Sequence, residues 1–238
     1  MYDLRPLLRS ANVPVTEEAV NKLNRYWEML VDWNGRMDLT SVPPEEMAER
    51  HFLDSLLPLT KEELFPAGIS LIDVGTGAGF PGLALAIARP DCRVTLLEAM
   101  QKRCQFLQAV CDELGLANAR VIQNRAEVSG REPEYRELYD RAVARAVAPL
   151  NVLCEYLLPF VKNGGLALCW KGPAAEEELP DGSFAAKVLG GEMGEIIELP
   201  CGDTRHVIVP VKKQTETLPQ YPRKNGIPAK RPLKNGKK

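Results

Sequence analysis

The sequence predicts an α/β fold, a doubly wound and mainly parallel sheet of the Rossmann-like type. Three observations predict it. From Ile69 onward, short apolar runs alternate with longer amphipathic segments, which is typical of a parallel sheet with helices on both faces. Before that point, apolar residues recur at helical spacing, and after residue 211 proline, glycine and positive charges predominate. We therefore expect an N-terminal helical extension over residues 1–60, the sheet over residues 61–211, and a basic C-terminal arm over residues 212–238.

The N-terminal extension is predicted to contain two main helices. Between Glu17 and Trp33 the apolar residues fall on one helical face, and we expect Trp27 and Trp33 to belong to the core on that face. Asn34-Gly35 predicts the end of this helix, because both residue types tolerate the left-handed conformation that closes helices. A second helix is predicted from Pro43-Pro44 through Leu57.

The central unit is predicted to alternate strands and helices. We expect strands near residues 69–74, 92–97, 119–122, 139–144, 165–170, 193–199 and 206–211, and helices near 81–89, 101–115, 150–161 and 173–189. No helix separates the last two strands, so they are expected to form an antiparallel hairpin at the sheet edge. Such a sheet binds its ligand outside the carboxyl ends of the strands.

A glycine-rich turn follows the first predicted strand, in the stretch Ile69-Ser-Leu-Ile-Asp-Val-Gly-Thr-Gly-Ala-Gly-Phe-Pro-Gly82. Gly75, Gly77 and Gly79 allow the backbone to turn sharply and to approach a ligand closely. Pro81 suits the first position of a helix, where the missing N–H would have no partner. Strand, glycine turn and helix together predict a nucleotide-binding unit.

Two carboxylates narrow the choice of ligand. Asp73 stands two positions before the first glycine, where it would repel a pyrophosphate but attract the ammonium and sulfonium groups of S-adenosylmethionine. Glu98 ends the next predicted strand, 23 positions after Gly75, near the spacing of about 20 expected for an acid that binds ribose hydroxyls. Either signal alone is common, since glycine turns occur in many nucleotide folds and strand-end acids are often solvated. Together they favour S-adenosylmethionine, with Asp73 at its methionine amino end.

Composition favours a cytoplasmic protein without a membrane anchor. The chain has 238 residues, 45% of them hydrophobic, and no apolar run near the length needed to cross a bilayer. Its N-terminus lacks the apolar core of a signal peptide. The six cysteines show no regular spacing, which favours reduced thiols.

Charge is distributed unevenly. Residues 212–238 carry nine Lys or Arg and one acid, so this arm is net +8 in a chain that is net −2 overall. A basic, proline- and glycine-rich arm suits contacts with nucleic-acid phosphates and partial disorder, although a merely solubilising tail has the same composition.

Missing motifs exclude several chemistries. The sequence has no Tyr-x-x-x-Lys, no phosphate-binding loop ending in Gly-Lys-Ser/Thr, no Gly-x-Ser-x-Gly elbow and no His-Glu-x-x-His, and its two histidines imply no metal. It also lacks the Asn/Asp-Pro-Pro-Tyr/Phe motif typical of methylation at exocyclic adenine amines. A ring nitrogen such as guanine N7 has an exposed lone pair and needs no general base, so alignment would supply most of the catalysis.

The chain resembles the bacterial ribosomal RNA small-subunit methyltransferase G family, also called glucose-inhibited division protein B. The segments that carry the resemblance are Asp38-Leu-Thr, His51-Phe-Leu-Asp-Ser-Leu56, Ile72 to Gly82, Lys102-Arg103, Arg145-Ala146, Lys171-Gly172, Arg205-His206 and the closing Tyr221-Pro-Arg-Lys-Asn-Gly-Ile-Pro-Ala-Lys. The resemblance implies a class I methyltransferase sheet and N7 methylation of one guanine in 16S rRNA, with S-adenosylmethionine as donor. It also implies cofactor contacts at Gly75, Phe80, Ala126, Glu127 and Arg145. Two positions depart from the family pattern, Asp38 in place of Asn and Ala144 in place of Ser.

Basic residues are the candidates for substrate contact. We expect Lys102, Arg103, Arg145, Lys171, Arg205 and the arm to contact RNA phosphates or the guanine, with a solvated surface charge as the alternative at each position. His51 and Asp54 stand three apart on a predicted helix, where they either hydrogen bond the glycine turn or act as a structural cap. We expect a monomer that acts on 16S rRNA or the 30S subunit. The alternatives are a methyltransferase for a small molecule or protein, and a non-catalytic RNA-binding assembly factor.

Overall fold

An eight-stranded sheet forms the centre of the computed structural model, which describes residues 2–201 and 204–236, without side-chain detail at 200, 201, 204 and 205. Its strands are β1 (Ser70–Val74), β2 (Arg93–Glu98), β3 (Ala119–Gln123), β4 (Tyr139–Arg145), β5 (Val161–Lys171), β6 (Gly191–Met193), β7 (Ile197–Cys201) and β8 (Thr204–Lys213). The order β3-β2-β1-β4-β5-β8-β6 is parallel as far as β5, and β8 runs antiparallel. The predicted α/β class and the parallel alternation are therefore confirmed.

The edge of the sheet differs in detail from the prediction. β7 and β8 form the expected antiparallel hairpin, with Leu199 opposite His206. The single strand predicted over residues 193–199 is wrong, because β6 and β7 pair separately with the two ends of β8. Pro210 explains the break, since it lies between these paired segments and has no N–H to donate. Its carbonyl still accepts a hydrogen bond from Gly194 N at 2.8 Å.

Helices cover both faces of the sheet. They are α1 (Arg5–Ser10), α2 (Glu17–Met37), α3 (Pro44–Met47), α4 (Asp54–Leu56), α5 (Gly82–Ala88), α6 (Gln101–Leu114), α7 (Ala126–Ser129), α8 (Leu150–Leu157), α9 (Ala175–Val188) and α10 (Ile227–Lys230). The N-terminal helices, α5 and α6 share one apolar core on one face, while α8 and α9 bury the other face. Within the described ranges, no helix is both long and apolar enough to cross a membrane.

The predicted end of α2 is wrong. The helix passes through Gly35 and ends at Met37, where Asp38 adopts a left-handed conformation with φ 51°. Asn34 caps the following turn instead, since its Oδ1 accepts a hydrogen bond from Thr40 N at 2.8 Å. Trp27 and the other predicted core tryptophan, Trp33, are only partly buried and pack against the edge of the core.

The second predicted N-terminal helix is not one regular helix. A π-helical segment over Ala48–Leu53 joins α3 to α4, and a 3₁₀ turn over Leu57–Thr60 follows. The wider π turn changes the angular spacing of its side chains. It places Arg50, His51 and Asp54 at the carboxyl end of the sheet, beside Arg145 at the end of β4.

The C-terminal arm is docked along its described length, which corrects the expectation of partial disorder. The buried Glu155 carboxylate of α8 pairs with Arg223 at 2.6 Å. Arg136 donates hydrogen bonds to the carbonyls of Tyr221 at 2.8 Å and Thr217 at 2.5 Å. Lys213 is buried at the end of β8, 2.9 Å from Glu137. These contacts leave five described lysines and arginines of the arm exposed: Lys212, Lys224, Lys230, Arg231 and Lys234.

Candidate functional site: two adjoining cavities at the carboxyl end of the sheet

The glycine turn lies at the carboxyl end of β1, as predicted. Gly75, Gly77 and Gly79 have φ values of 73°, 61° and 103°, which only glycine adopts without strain. The Gly75 N–H donates to Leu97 O at 2.8 Å, which ties the turn to β2. A Cβ on Gly75 would lie 3.1 Å from Val147 Cγ2, so the turn has little room for a side chain there.

The Asp73 side chain hydrogen bonds both ends of this turn. Its Oδ2 accepts hydrogen bonds from Thr76 Oγ1 at 2.6 Å and Gly82 N at 2.7 Å. The carboxyl is fully buried, and this burial raises its pKa to about 6. Asp73 is not among the residues that line the cavity described below. Its Oδ1 has no hydrogen-bond partner among the described residues.

A cavity of about 560 Å³ opens above the turn. This volume falls within the range expected for a cofactor site. Its walls include Gly75, Gly77, Phe80, Glu98, Ala126, Glu127 and Arg145, seven of the nine residues predicted to bind cofactor, whereas Asp73 and Gly79 lie behind it. The parallel sheet brings these residues together because the ends of β1, β2, β3 and β4 meet at one edge.

Glu98 presents a buried carboxylate to this cavity. Its Oε1 accepts from Met100 N at 2.8 Å, and its Oε2 accepts from Gly77 N at 3.0 Å. Each carboxylate oxygen can accept a further hydrogen bond, so the side chain remains suited to ribose hydroxyls. The Arg103 guanidinium lies 3.9 Å from Oε2.

The docked arm forms part of the cavity wall, which the sequence did not reveal. Glu127 Oε1 accepts a hydrogen bond from Gly226 N at 2.8 Å, and Ala229 lines the cavity. Glu127 is buried on the wall where adenine is expected. The only sequence signal for this contact was the family resemblance of the closing segment.

Aromatic rings surround the start of α5. Phe80 stacks on Tyr26 at 5.2 Å and on the His51 imidazole at 4.7 Å between ring centres. The Arg145 guanidinium carbon lies 5.2 Å from the centre of the Phe80 ring, a cation–π contact. Phe80 is 4% exposed, so it supports the cavity more than it covers a ligand.

A second cavity, of about 650 Å³, adjoins the first. His51, Arg103 and Arg145 line both cavities, together with Leu39, Thr40 and Ala146. The second cavity is rich in positive charge, since Arg50, Lys171 and His206 also line it. Arg145 therefore stands at the junction of a cofactor-sized cavity and a cationic one.

Arg145 is held in place by the N-terminal segment. Its Nη1 lies 2.7 Å from Asp54 Oδ2 and 2.8 Å from Arg50 O, and its Nη2 lies 3.0 Å from His51 Nδ1. Burial, then the Arg145 charge, lowers the pKa of His51 to about 3, so the ring is neutral and its Nδ1 accepts. His51 Nε2 then donates to Thr40 Oγ1 at 2.8 Å. We predicted that His51 and Asp54 either hydrogen bond the glycine turn or act as a cap. Both contact Arg145 instead of the glycine turn, so the first alternative is wrong.

The remaining predicted RNA contacts are placed differently from one another. Lys102 is exposed and lines neither cavity. Lys171 lines the second cavity and pairs with Glu178 at 2.8 Å. The Arg205 side chain lies outside the described residues. Among the described residues, no cluster of three or more His, Cys, Asp or Glu is arranged to hold a metal ion.

Comparisons with solved structures show the fold. The fold resembles a SAM dependent methyltransferase from Aquifex aeolicus, with a TM-score of 0.52 and 18% identity, over 71% of this chain and 93% of that chain. It also resembles an MtNAS mutant in complex with S-adenosylmethionine, with a TM-score of 0.54 and 18% identity, over 82% of this chain and 75% of that chain. Both likenesses show that the fold is Rossmann-like.

Sequence comparisons identify the family. A family model described as rRNA small subunit methyltransferase G matches residues 19–208. The chain is 48% identical over 226 residues to the ribosomal RNA small subunit methyltransferase G of Alkaliphilus oremlandii (strain OhILAs), a match that covers 94% of each chain. The chain belongs to the rRNA small subunit methyltransferase G family.

Proposed function

We propose that this chain transfers the methyl group of S-adenosylmethionine to N7 of one guanine in 16S rRNA, as free RNA or within the 30S subunit. One observation carries the proposal: at Arg145 the cofactor-sized cavity adjoins a second cavity whose lining has more cationic than anionic side chains. A methyl donor and a polyanionic acceptor need this adjacency. The family supports the RNA substrate.

The donor fits the first cavity through groups of different chemistry. The positive-φ turn at Gly75 and Gly77 leaves backbone open to a ligand, Glu98 offers acceptors for the ribose hydroxyls, and Ala126 with Glu127 borders the adenine position. We assign Asp73 to holding the turn, with its carboxylate attracting the donor's positive charge at longer range. When bound, S-adenosylmethionine supplies an electrophilic methyl group on a sulfonium.

N7 methylation sets modest demands on the protein. The N7 lone pair carries no proton, so no side chain has to act as a general base, and catalysis comes from alignment and approach. Arg145 is the residue best placed to fix this alignment. Three groups hold its guanidinium, and it lies beside both cavities.

The test is methyl transfer from labelled S-adenosylmethionine to 16S rRNA and to 30S particles from cells that lack this gene. The modified nucleoside is identified by mass spectrometry, and Glu98→Ala serves as the donor-defective control. We expect label in 7-methylguanosine at one site with the wild-type chain and none with the control. Label in another nucleoside would contradict the N7 assignment. Donor binding without any RNA labelling would favour a small-molecule or protein acceptor, and loss of donor binding itself would favour a non-catalytic factor.

Three further expectations complete the proposal: the protein acts as a monomer, in the cytoplasm, and without a metal. Light scattering on the purified chain tests the first. Unchanged turnover after exhaustive chelation tests the third, because a metal-dependent enzyme would lose activity.

A further inference from the structure

The second cavity contains an ion-pair cluster in which a second cationic side chain, His206, lies beside Arg145. Asp54 lies on α4 with a side chain that is 2% exposed. Its Oδ2 lies 2.7 Å from Arg145 Nη1, and its Oδ1 lies 2.8 Å from His206 Nδ1. One buried carboxylate therefore holds two cationic side chains next to each other.

The backbone of Asp54 is also fixed. Its carbonyl accepts a hydrogen bond from Trp170 Nε1 at 3.1 Å, which joins α4 to β5. Burial acts to raise the pKa of the Asp54 carboxyl, but His206 and Arg145 outweigh it, so this pKa lies below its usual value. The Asp54 carboxyl is thus favoured in its ionised form, which orients its two partners.

His206 is oriented toward the cavity by this pairing. Its Nδ1 lies 2.8 Å from Asp54, so Nε2, on the other side of the ring, is the nitrogen that can contact a ligand. Its side chain remains 23% exposed, whereas Asp54 is almost inaccessible. The other charged groups that line the cavity are Arg50, Arg103, Arg145 and Lys171, together with the carboxylates Asp38 and Asp54.

The chemistry of the acceptor narrows what these cations bind. Arginine and lysine commonly recognise guanine through a bidentate contact to O6 and N7. That contact would block N7, which must stay open to the donor. A phosphate oxygen accepts charge-assisted hydrogen bonds from the same cations without covering the base.

Resting on the proposed function, we propose that His206, positioned by Asp54, joins Arg145 in binding one backbone phosphate of the RNA beside the target guanine. The Asp54 carboxylate, 2.8 Å from the ring, raises the pKa of His206 against a smaller opposing effect of burial, which favours the charged ring. His206 lines the second cavity and not the first, so its contribution concerns the acceptor and not the donor.

The experiment compares His206→Gln and His206→Lys with the wild-type chain. RNA affinity is measured against salt concentration and against pH, and donor affinity is measured in parallel. Each phosphate contact contributes about 0.7 to 0.9 to the slope of log affinity on log salt. We expect His206→Gln to lower that slope by roughly this amount and to weaken RNA binding about five- to tenfold near 0.1 M salt. Donor affinity should not change.

His206→Lys separates charge from structure. It should restore the salt slope, and it should abolish the loss of RNA affinity that the wild-type chain shows as pH rises through the His206 pKa. The matched control is Lys61→Gln, an exposed cation in the segment that leads to the amino end of β1, away from both cavities.

Two results would overturn the proposed phosphate contact. A slope for His206→Gln equal to that of the wild-type chain and of the Lys61 control would overturn the phosphate contact. A His206→Lys variant as weak as His206→Gln would also overturn it, because shape and not charge would then matter. If the wild-type chain binds RNA but leaves no 7-methylguanosine, the proposed function fails independently of these slopes.

Discussion

Arg223 is expected to hold the C-terminal arm against the cofactor cavity. Its backbone N–H and its guanidinium donate four hydrogen bonds to the Glu155 carboxylate, at 2.6 to 3.1 Å. Glu155 is 0% exposed, so its carboxylate depends on Arg223 for a neutralising partner while the arm is docked. Arg223→Ala should therefore undock the segment that places Gly226 on Glu127 and Ala229 in the cavity wall.

The magnitude follows from the buried carboxylate. Leaving one member of a buried ion pair without its partner costs about 3–5 kcal/mol. At about 1.4 kcal/mol per tenfold change, the ratio of docked to undocked arm falls by roughly two to three and a half decades. Because the arm can release while the sheet stays folded, we expect local opening more than global unfolding. Donor affinity should fall with it, since part of the wall moves away.

Lys224→Ala is the matched control, because it removes the same charge from the neighbouring residue, which is exposed. Hydrogen exchange and limited proteolysis of residues 221–236 report docking, and calorimetry reports donor affinity. Both variants weaken RNA binding through lost charge, but only Arg223→Ala should open the arm and weaken donor binding. Equal exchange, proteolysis and donor affinity in the two variants would refute the reasoning.

Three other perturbations test the cofactor cavity. Gly75→Ala forces an alanine to φ 73°, which costs about 1–2 kcal/mol. It should weaken donor binding, measured by calorimetry. Gly68→Ala carries the same strain at φ 71° but has open space around it, so donor binding should not change in this control. The raised pKa of Asp73 means that the protonated carboxyl favours the fold, fully below about pH 4 and less as pH rises through 6. The stability of Asp73→Asn relative to the wild-type chain should then rise by about 3 kcal/mol between pH 4 and 7 in denaturant titrations, and a flat difference would contradict it. Tyr26→Phe removes the hydrogen bond from the buried hydroxyl to Ala78 O. It should cost about 1 kcal/mol of stability and loosen the glycine turn, which reduces donor affinity. An unchanged stability together with an unchanged donor affinity would show that this bond is dispensable.

Local patterns predicted much of the fold because each depends on neighbours along the chain. The apolar run before Gly75 predicted β1, and the spacing of apolar residues after Glu17 predicted α2. The end of α2 was missed because Asp38, not Gly35, takes the left-handed conformation, and either residue type can do so. The break between β6 and β7 was missed because it depends on which side of β8 the nitrogen of Pro210 faces.

The candidate site divides in the same way. The glycine turn and Glu98 could be predicted from the sequence because they lie within one βαβ unit. The geometry of a parallel sheet then brings them to one edge. The grouping of the basic residues was not visible. Lys102 and Arg103 are adjacent in sequence, yet only Arg103 reaches the cavities.

By itself, the sequence determined the class of sheet, the glycine turn and the position of Glu98 at the end of β2. Short-range apolar periodicity specifies the strands and helices, and the conformational freedom of glycine specifies the turn. Only the tertiary structure decided which charges meet. Arg145 is joined to Asp54 across 91 residues, Glu127 to Gly226 across 99, and Arg223 to Glu155 across 68. The position of a charged residue in the sequence does not say where its side chain points or which residue it contacts. Packing of the N-terminal segment and the arm onto the sheet buries these groups, and burial makes each pairing necessary, since an unpaired charge away from water is costly.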